Sequence, residues 1–260
     1  MRRWPALGVV LPAVAMTACA ASRAPWPSPT PQGWSALRGQ LDERRIERPK
    51  APWAAGLRVT MREPRSGRVI DGRGAIAVAP GRAVRMVLVG AAGATMLDAW
   101  VTATRWRVAV PPLDLVRRGG MEEPPDMPVG FLRWWFLTPL TGTLIAAAEL
   151  EGGPVWVLRE AGAVVEIRSP ALERGCLQAT RRASGHAETV EECREAAAPS
   201  AGDSARYVDE RSGLKVDLWL ESIASAPPGA EAFEDPDAGG DGRDGQGSTA
   251  GAGAEGAAGT

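Results

Sequence analysis

Three cysteines and one histidine are few for a sequence of 260, and their placement limits the reactions open to it. Cys176 and Cys193 stand 17 residues apart, with His186 alone between them. A metal site would need more ligands than these. Ser184 and His186 are too close in sequence for a Ser-His-acid triad, and no acid partner is evident. No G-x-S-x-G elbow, phosphate loop or zinc-helix motif occurs. Gly251-Ala-Gly253-Ala-Glu-Gly256 has the letters of a dinucleotide fingerprint but follows no strand and opens no helix. The run from Gly239 to Asp244 has the form of one calcium-binding nonapeptide. It occurs once, with Gln246 at the hydrophobic position, so repeats could not stack. Carboxylates are plentiful, yet none stands out as an acid–base pair. The expectation is a protein that is no enzyme and holds no metal and no dissociable cofactor.

The remaining cysteine carries the strongest signal. Arg2 and Arg3 precede an apolar run over residues 4–18, too short for the roughly 20 residues of a membrane span, so 1–18 reads as a signal peptide. The run ends in Met16-Thr17-Ala18-Cys19, which resembles the bacterial lipobox, with Met16 where leucine is usual. The resemblance implies a covalent lipid on Cys19, and Ala20 after it implies the outer membrane, facing the periplasm. The alternative is an ordinary secretory signal that happens to contain a cysteine. Either route leads to an oxidising compartment, where Cys176 and Cys193 are candidates for a disulfide worth about 3 kcal/mol. Two inert thiols are the other reading.

These residues need elements to hold them. Residues 19–33, with Pro25, Pro27, Pro29 and Pro31, form a semi-rigid tether. Residues 237–260 are mostly glycine, alanine and aspartate and cannot bury enough apolar surface to fold, so they read as a disordered tail. The part between, 34–236, reads as a single domain. Lys plus Arg (30) nearly cancels Asp plus Glu (31), which argues against nucleic acid as a partner. Trp34, Leu37 and Leu41 predict a helix over 34–47. Leu57, Val59 and Met61 alternate with polar residues, and Ile76 and Val78 follow a glycine-rich turn. Ala83–Thr102 reads as strand–turn–strand around Gly90 to Gly93. Alternation continues at 106–110, 155–159, 163–168 and 214–221, and no βαβ order appears, so the fold class is mainly β with an antiparallel, one-sided sheet. Arg58, Arg62, Arg105 and Arg107 fall on the polar sides of strands and read as a solvated face. Met127–Leu140, MPVGFLRWWFLTPL, reads as a short helix or apolar loop. It is either packed on the sheet or a lid over an apolar cavity, or a wedge touching lipid.

The stretch Gly72–Gly93, GRGAIAVAPGRAVRMVLVGAAG, with Leu97 after it, resembles the LolA/LolB-like lipoprotein-carrier superfamily. So does the order of lipobox, N-terminal amphipathic helix, one-sided strands and a covering segment at Pro128–Gly142. The cysteine-containing stretch and the acidic tail depart from that family as an insert and an extension. The resemblance implies a curved, incomplete β-barrel with covering helices around an apolar cavity for acyl chains. It places Trp100, Trp106, Phe131, Trp134, Trp135 and Trp156 as cavity-lining, lipid-binding candidates, with Trp34, Leu37 and Leu41 closing one side. The implied function is binding of a lipid or lipoprotein acyl chain, in lipoprotein localisation or envelope lipid handling. The alternative is a non-catalytic accessory lipoprotein of a secretion or envelope-assembly complex, with envelope proteins as partners.

Overall fold

The computed structural model describes residues 27–62, 64, 67, 69–90, 92–121, 127–170, 175–194 and 196–237. The signal peptide, Cys19 and the tail beyond residue 237 lie outside the described residues. Helix α1 spans Pro31–Ile46. It begins three residues before the position its apolar spacing predicts, because Thr30 caps it. The Thr30 side chain accepts from the Gly33 backbone N–H at 3.1 Å, and Pro31 sits at the first helical position, where its missing N–H costs nothing. Leu37 and Leu41 are its buried pair.

Thirteen antiparallel strands follow among the described residues: β1 (Trp53–Arg62), β2 (Val69–Ala79), β3 (Ala83–Val89), β4 (Thr95–Thr102), β5 (Trp106–Val110), β6 (Leu115–Gly119), β7 (Thr143–Leu150), β8 (Gly153–Glu160), β9 (Ala163–Arg168), β10 (Cys176–Ala183), β11 (His186–Cys193), β12 (Ser204–Asp209) and β13 (Lys215–Ile223). They form one open sheet in the order β6-β5-β4-β3-β2-β1-β13-β12-β11-β10-β9-β8-β7. Two consecutive meanders are thus joined where β1 pairs with β13, and β6 and β7 are the free edges. The chain between those edges carries the cover: a single turn α2 (Val129–Phe131) runs into a π-helix, Leu132–Leu137.

Alternation decides the two faces. Leu57, Val59, Ile76, Val84, Met86, Val108, Leu158 and Val216 point inward and are almost fully buried beneath α1 and the cover. At full burial each such side chain contributes about 1.5–3 kcal/mol. The Trp156 indole donates to the Leu37 carbonyl of α1 at 2.7 Å. Arg133, the one charge within the cover, donates to the carbonyls of Thr102, Gly120 and Met121 at 2.9–3.0 Å and ties the cover to the β4–β6 side. The segment Met127–Leu140 is therefore mostly packed core.

Three sequence expectations change. Gly72 and Gly74 are within β2 and form no turn before Ile76. A Cβ on Gly74 would stand 1.8 Å from the Val87 carbonyl oxygen, so glycine there serves close approach of two strands. The cysteine-containing stretch is no insert: β10 and β11 make a hairpin inside the sheet, with β9 and β12 on either side. Arg107 is not solvated, being only 15 % exposed and 3.6 Å from Asp98.

Arg107 instead belongs to an outer-face contact. After β13, the Ala224 backbone N–H donates to the Ala54 carbonyl at 2.9 Å, and the chain then crosses the outside of the first meander. Phe233 is buried against Ala77, Ala79 and Ala83, with the Arg82 guanidinium 5.1 Å from its ring centre. Asp237 accepts from Arg107 at 2.9 and 3.0 Å and from Arg118 at 2.6 Å, while Asp235 lies 3.5 Å from Arg105. Residues 224–237 form a strap.

Candidate functional site

A cavity of about 340 Å³ opens where the C-terminal end of α1, the start of β1, the end of the cover and the ends of β11–β13 meet. Its wall is apolar: Trp53, Trp135, Phe136, Leu137, Leu218 and Leu220. Alternation along β13 places Leu218 and Leu220 on the inner face beside Ala205 of β12. The π-helix brings Trp135, Phe136 and Leu137 to the same opening, and the Leu137 carbonyl is held by the Gly81 backbone N–H at 2.9 Å. Wider helical turns of this kind recur at binding sites. Phe136 meets Trp53 at 6.2 Å and Phe131 edge-on at 5.3 Å, so the wall is continuous with the core.

The rim is charged. Arg48 donates to Glu192 at 2.9 Å through one nitrogen and lies 2.7 Å from its other oxygen through a second, and its guanidinium stacks 4.6 Å above the Trp135 ring. The Trp135 indole also donates to Glu192, at 3.0 Å. Arg194 lies 3.8 Å from Asp203, which accepts from the backbone and hydroxyl of Ser200 at 2.9 Å. Burial pulls the Arg194 guanidinium below its ordinary pKa, against the opposing pull of Glu192. Arg45 donates to the carbonyls of Leu140 and Gly142, at 2.9 and 2.8 Å, and Lys50 completes the rim. A second, polar recess of about 220 Å³ lies beside Arg48, Glu192 and Arg194. Cys176 and Cys193 are directly opposed and form a disulfide at the end of the β10–β11 hairpin. It fixes the end of β11, with Glu192 on one side of Cys193 and Arg194 on the other.

The structure brings one of the six aromatic candidates to this cavity, Trp135. Trp106, Phe131, Trp134 and Trp156 are buried in the central core; Trp106 crosses Gly119, and Phe131 stacks on Tyr207 at 5.2 Å. Trp100 is on the outer face, where its indole donates to the Phe233 carbonyl at 3.0 Å under the strap. Trp34 and Leu41 lie beside a different hollow, with Thr143 and Leu144. Sequence reasoning missed Trp53, Leu218 and Leu220 as lining residues, and the rim altogether. Their signal was present in the alternation of β1 and β13, but only the fold shows that those strand ends converge.

Inside the sheet, a second polar group was also hidden. Glu188, 1 % exposed, accepts from Arg181 at 2.7 Å and from the Tyr207 hydroxyl at 2.9 Å. Glu160 lies 3.4 Å from Arg181 and accepts from Thr141 at 3.1 Å. His186 has an acid neighbour after all, Asp209 at 3.5 Å. Ser184 is exposed in the hairpin turn, in the left-handed backbone region at φ 47°. Among the described residues, no three His, Cys, Asp or Glu side chains gather as a metal site would require.

No family model matches the sequence. No curated protein matches it either. Solved structures do match the fold. A LolA superfamily protein from Nitrosomonas europaea superposes with a TM-score of 0.53 at 12 % identity, covering 76 % of this chain and 97 % of that one. An outer membrane lipoprotein-sorting protein domain from Vibrio parahaemolyticus gives 0.41 at 10 % identity over 75 % and 94 % of the two chains. A DUF1329 family protein from Desulfovibrio piger gives 0.44 at 12 % identity over 77 % and 96 %. The fold is LolA-like.

Proposed function

We propose that this chain is a non-catalytic envelope lipoprotein that binds the acyl chain of a lipid or lipoprotein in the cavity between the cover and β11–β13. The observation that carries the reading is the cavity itself: an apolar wall of Trp53, Phe136, Leu137, Leu218 and Leu220 that opens to solvent through a charged rim. Each methylene moved into it contributes about 0.8 kcal/mol. The LolA superfamily relative in fold supports a carrier role. The lipobox ending in Cys19 supports an outer-membrane anchor facing the periplasm, and the disulfide supports an oxidising compartment.

The mature chain carrying Cys19→Ser, exported behind a cleavable secretory signal, tests this by native mass spectrometry without detergent. The expected result is a bound acyl lipid that is lost in Ala205→Phe, which fills the cavity wall, while the thermal midpoint stays near the parent's. A protein that stays free of lipid when offered vesicles and acylated peptide would end the reading.

A further inference from the structure

Resting on the acyl-chain reading above, we propose that the cavity selects amphiphiles with one chain and a singly charged carboxylate head, seated at the mouth against Lys50. The volume is the first argument. At about 340 Å³ the cavity lies near the bottom of the roughly 300–1,000 Å³ range of small-molecule sites, which suits one chain better than several.

The charge balance of the rim is the second. Arg45 has Asp42 at 3.3 Å, Arg48 has Glu192 at 2.7 Å and Arg194 has Asp203 at 3.8 Å. Lys50 is exposed, lines the cavity and makes no ion pair among the described residues. Lys50 is thus the rim cation with no carboxylate beside it, and a carboxylate head supplies one negative charge to it, whereas a phosphate monoester carries about 1.5–2. Its position suits the task too. A lysine ammonium is a compact, hydrated charge on a flexible stem, so it can follow a head group at the water boundary while the chain lies on Trp53 and Phe136.

The experiment uses the mature Cys19→Ser chain and displacement of a fluorescent acyl probe by palmitate, methyl palmitate and hexadecyl phosphate, below their aggregation concentrations. Palmitate is expected to bind at least tenfold tighter than its methyl ester, with the preference shrinking as salt rises. Lys50→Glu should lower that preference roughly five- to tenfold, the range of a lost rim ion pair plus a like-charge contact, and Lys50→Arg should restore it. Equal binding of palmitate and its ester overturns the head-group selection while leaving acyl binding intact. Tighter binding of hexadecyl phosphate overturns the single charge. A preference that Lys50→Glu leaves unchanged overturns the seat. If none of the three displaces the probe or the probe itself does not bind, the acyl-chain reading falls and this inference with it.

Discussion

Glu160 shows how a single buried group sets a pH response. Burial pushes its carboxyl above the ordinary value, the Thr141 hydrogen bond and Arg181 oppose that, and Glu188 adds to it. A carboxyl with a raised folded pKa holds its proton more tightly folded than unfolded. Its stabilising contribution is then complete below the unfolded value, near 4.5, and is lost as pH rises through the folded one. Glu160→Gln keeps a group that can meet Thr141 and removes the titration. Urea midpoints measured from acid to neutral pH should show a flatter profile for the variant and no loss of stability at neutrality. A clear loss there would mean that the pairing with Arg181 outweighs burial. At this scale the residue types were legible and their directions were less so. Trp100 belongs to a strand whose Leu97, Ala99 and Val101 point inward, so alternation sends it outward with Asp98. It looked like a cavity residue because large apolar groups on an outer face are unexpected, and nothing local announces that a distant segment covers them.

Among elements, the β10–β11 hairpin is the one whose chemistry and geometry coincide. Its disulfide closes a 17-residue separation, and by chain-entropy reasoning it contributes about 3 kcal/mol. Cys176→Ala with Cys193→Ala should lower the unfolding free energy by that order, and reduction of the parent with dithiothreitol should lower its thermal midpoint similarly. Equal midpoints with and without reductant would remove the disulfide from the stability account. Because Glu192 and Arg194 flank Cys193, the same change should also loosen the cavity rim. The hairpin was hard to see in the sequence because the inner face of these strands carries the Arg181–Glu188 pair where an apolar residue would signal a strand. Strands β1, β5 and β13 alternate, and β3, β4, β8 and β9 are short, mostly apolar runs, so their positions follow from the sequence. Strands β6, β7 and β12 are less legible: β6 contains Arg117 and Arg118, β7 is rich in alanine, and β12 buries Asp209 on its inner face. Their place comes from pairing with neighbours, a non-local cause.

On the scale of the whole molecule, the strap joins the two meanders a second time, after the β1–β13 pairing. Phe233→Ala should cost roughly 2–4 kcal/mol, because it empties the space over Ala79 and Ala83 and bares Trp100. Urea unfolding measures the cost, and iodide quenching should reach an indole that the parent protects; an unchanged midpoint would make the strap a passive surface feature. The sequence reading divided the strap, with Asp235 at the end of the domain and Asp237 at the start of the tail, and only the placement of Arg105, Arg107 and Arg118 beneath them joins the two. The route has a mechanical consequence. Strand β13 lies in the middle of the sheet, yet the described chain ends over β5 and β6, near an edge. Tension applied to the C-terminal end therefore reaches the Asp237 ion pairs first, then Phe233, and only afterwards the hydrogen bonds of β13. Surface contacts yield before any strand is sheared, so the strap works as a fuse that spends a tug on its own detachment and leaves the sheet intact.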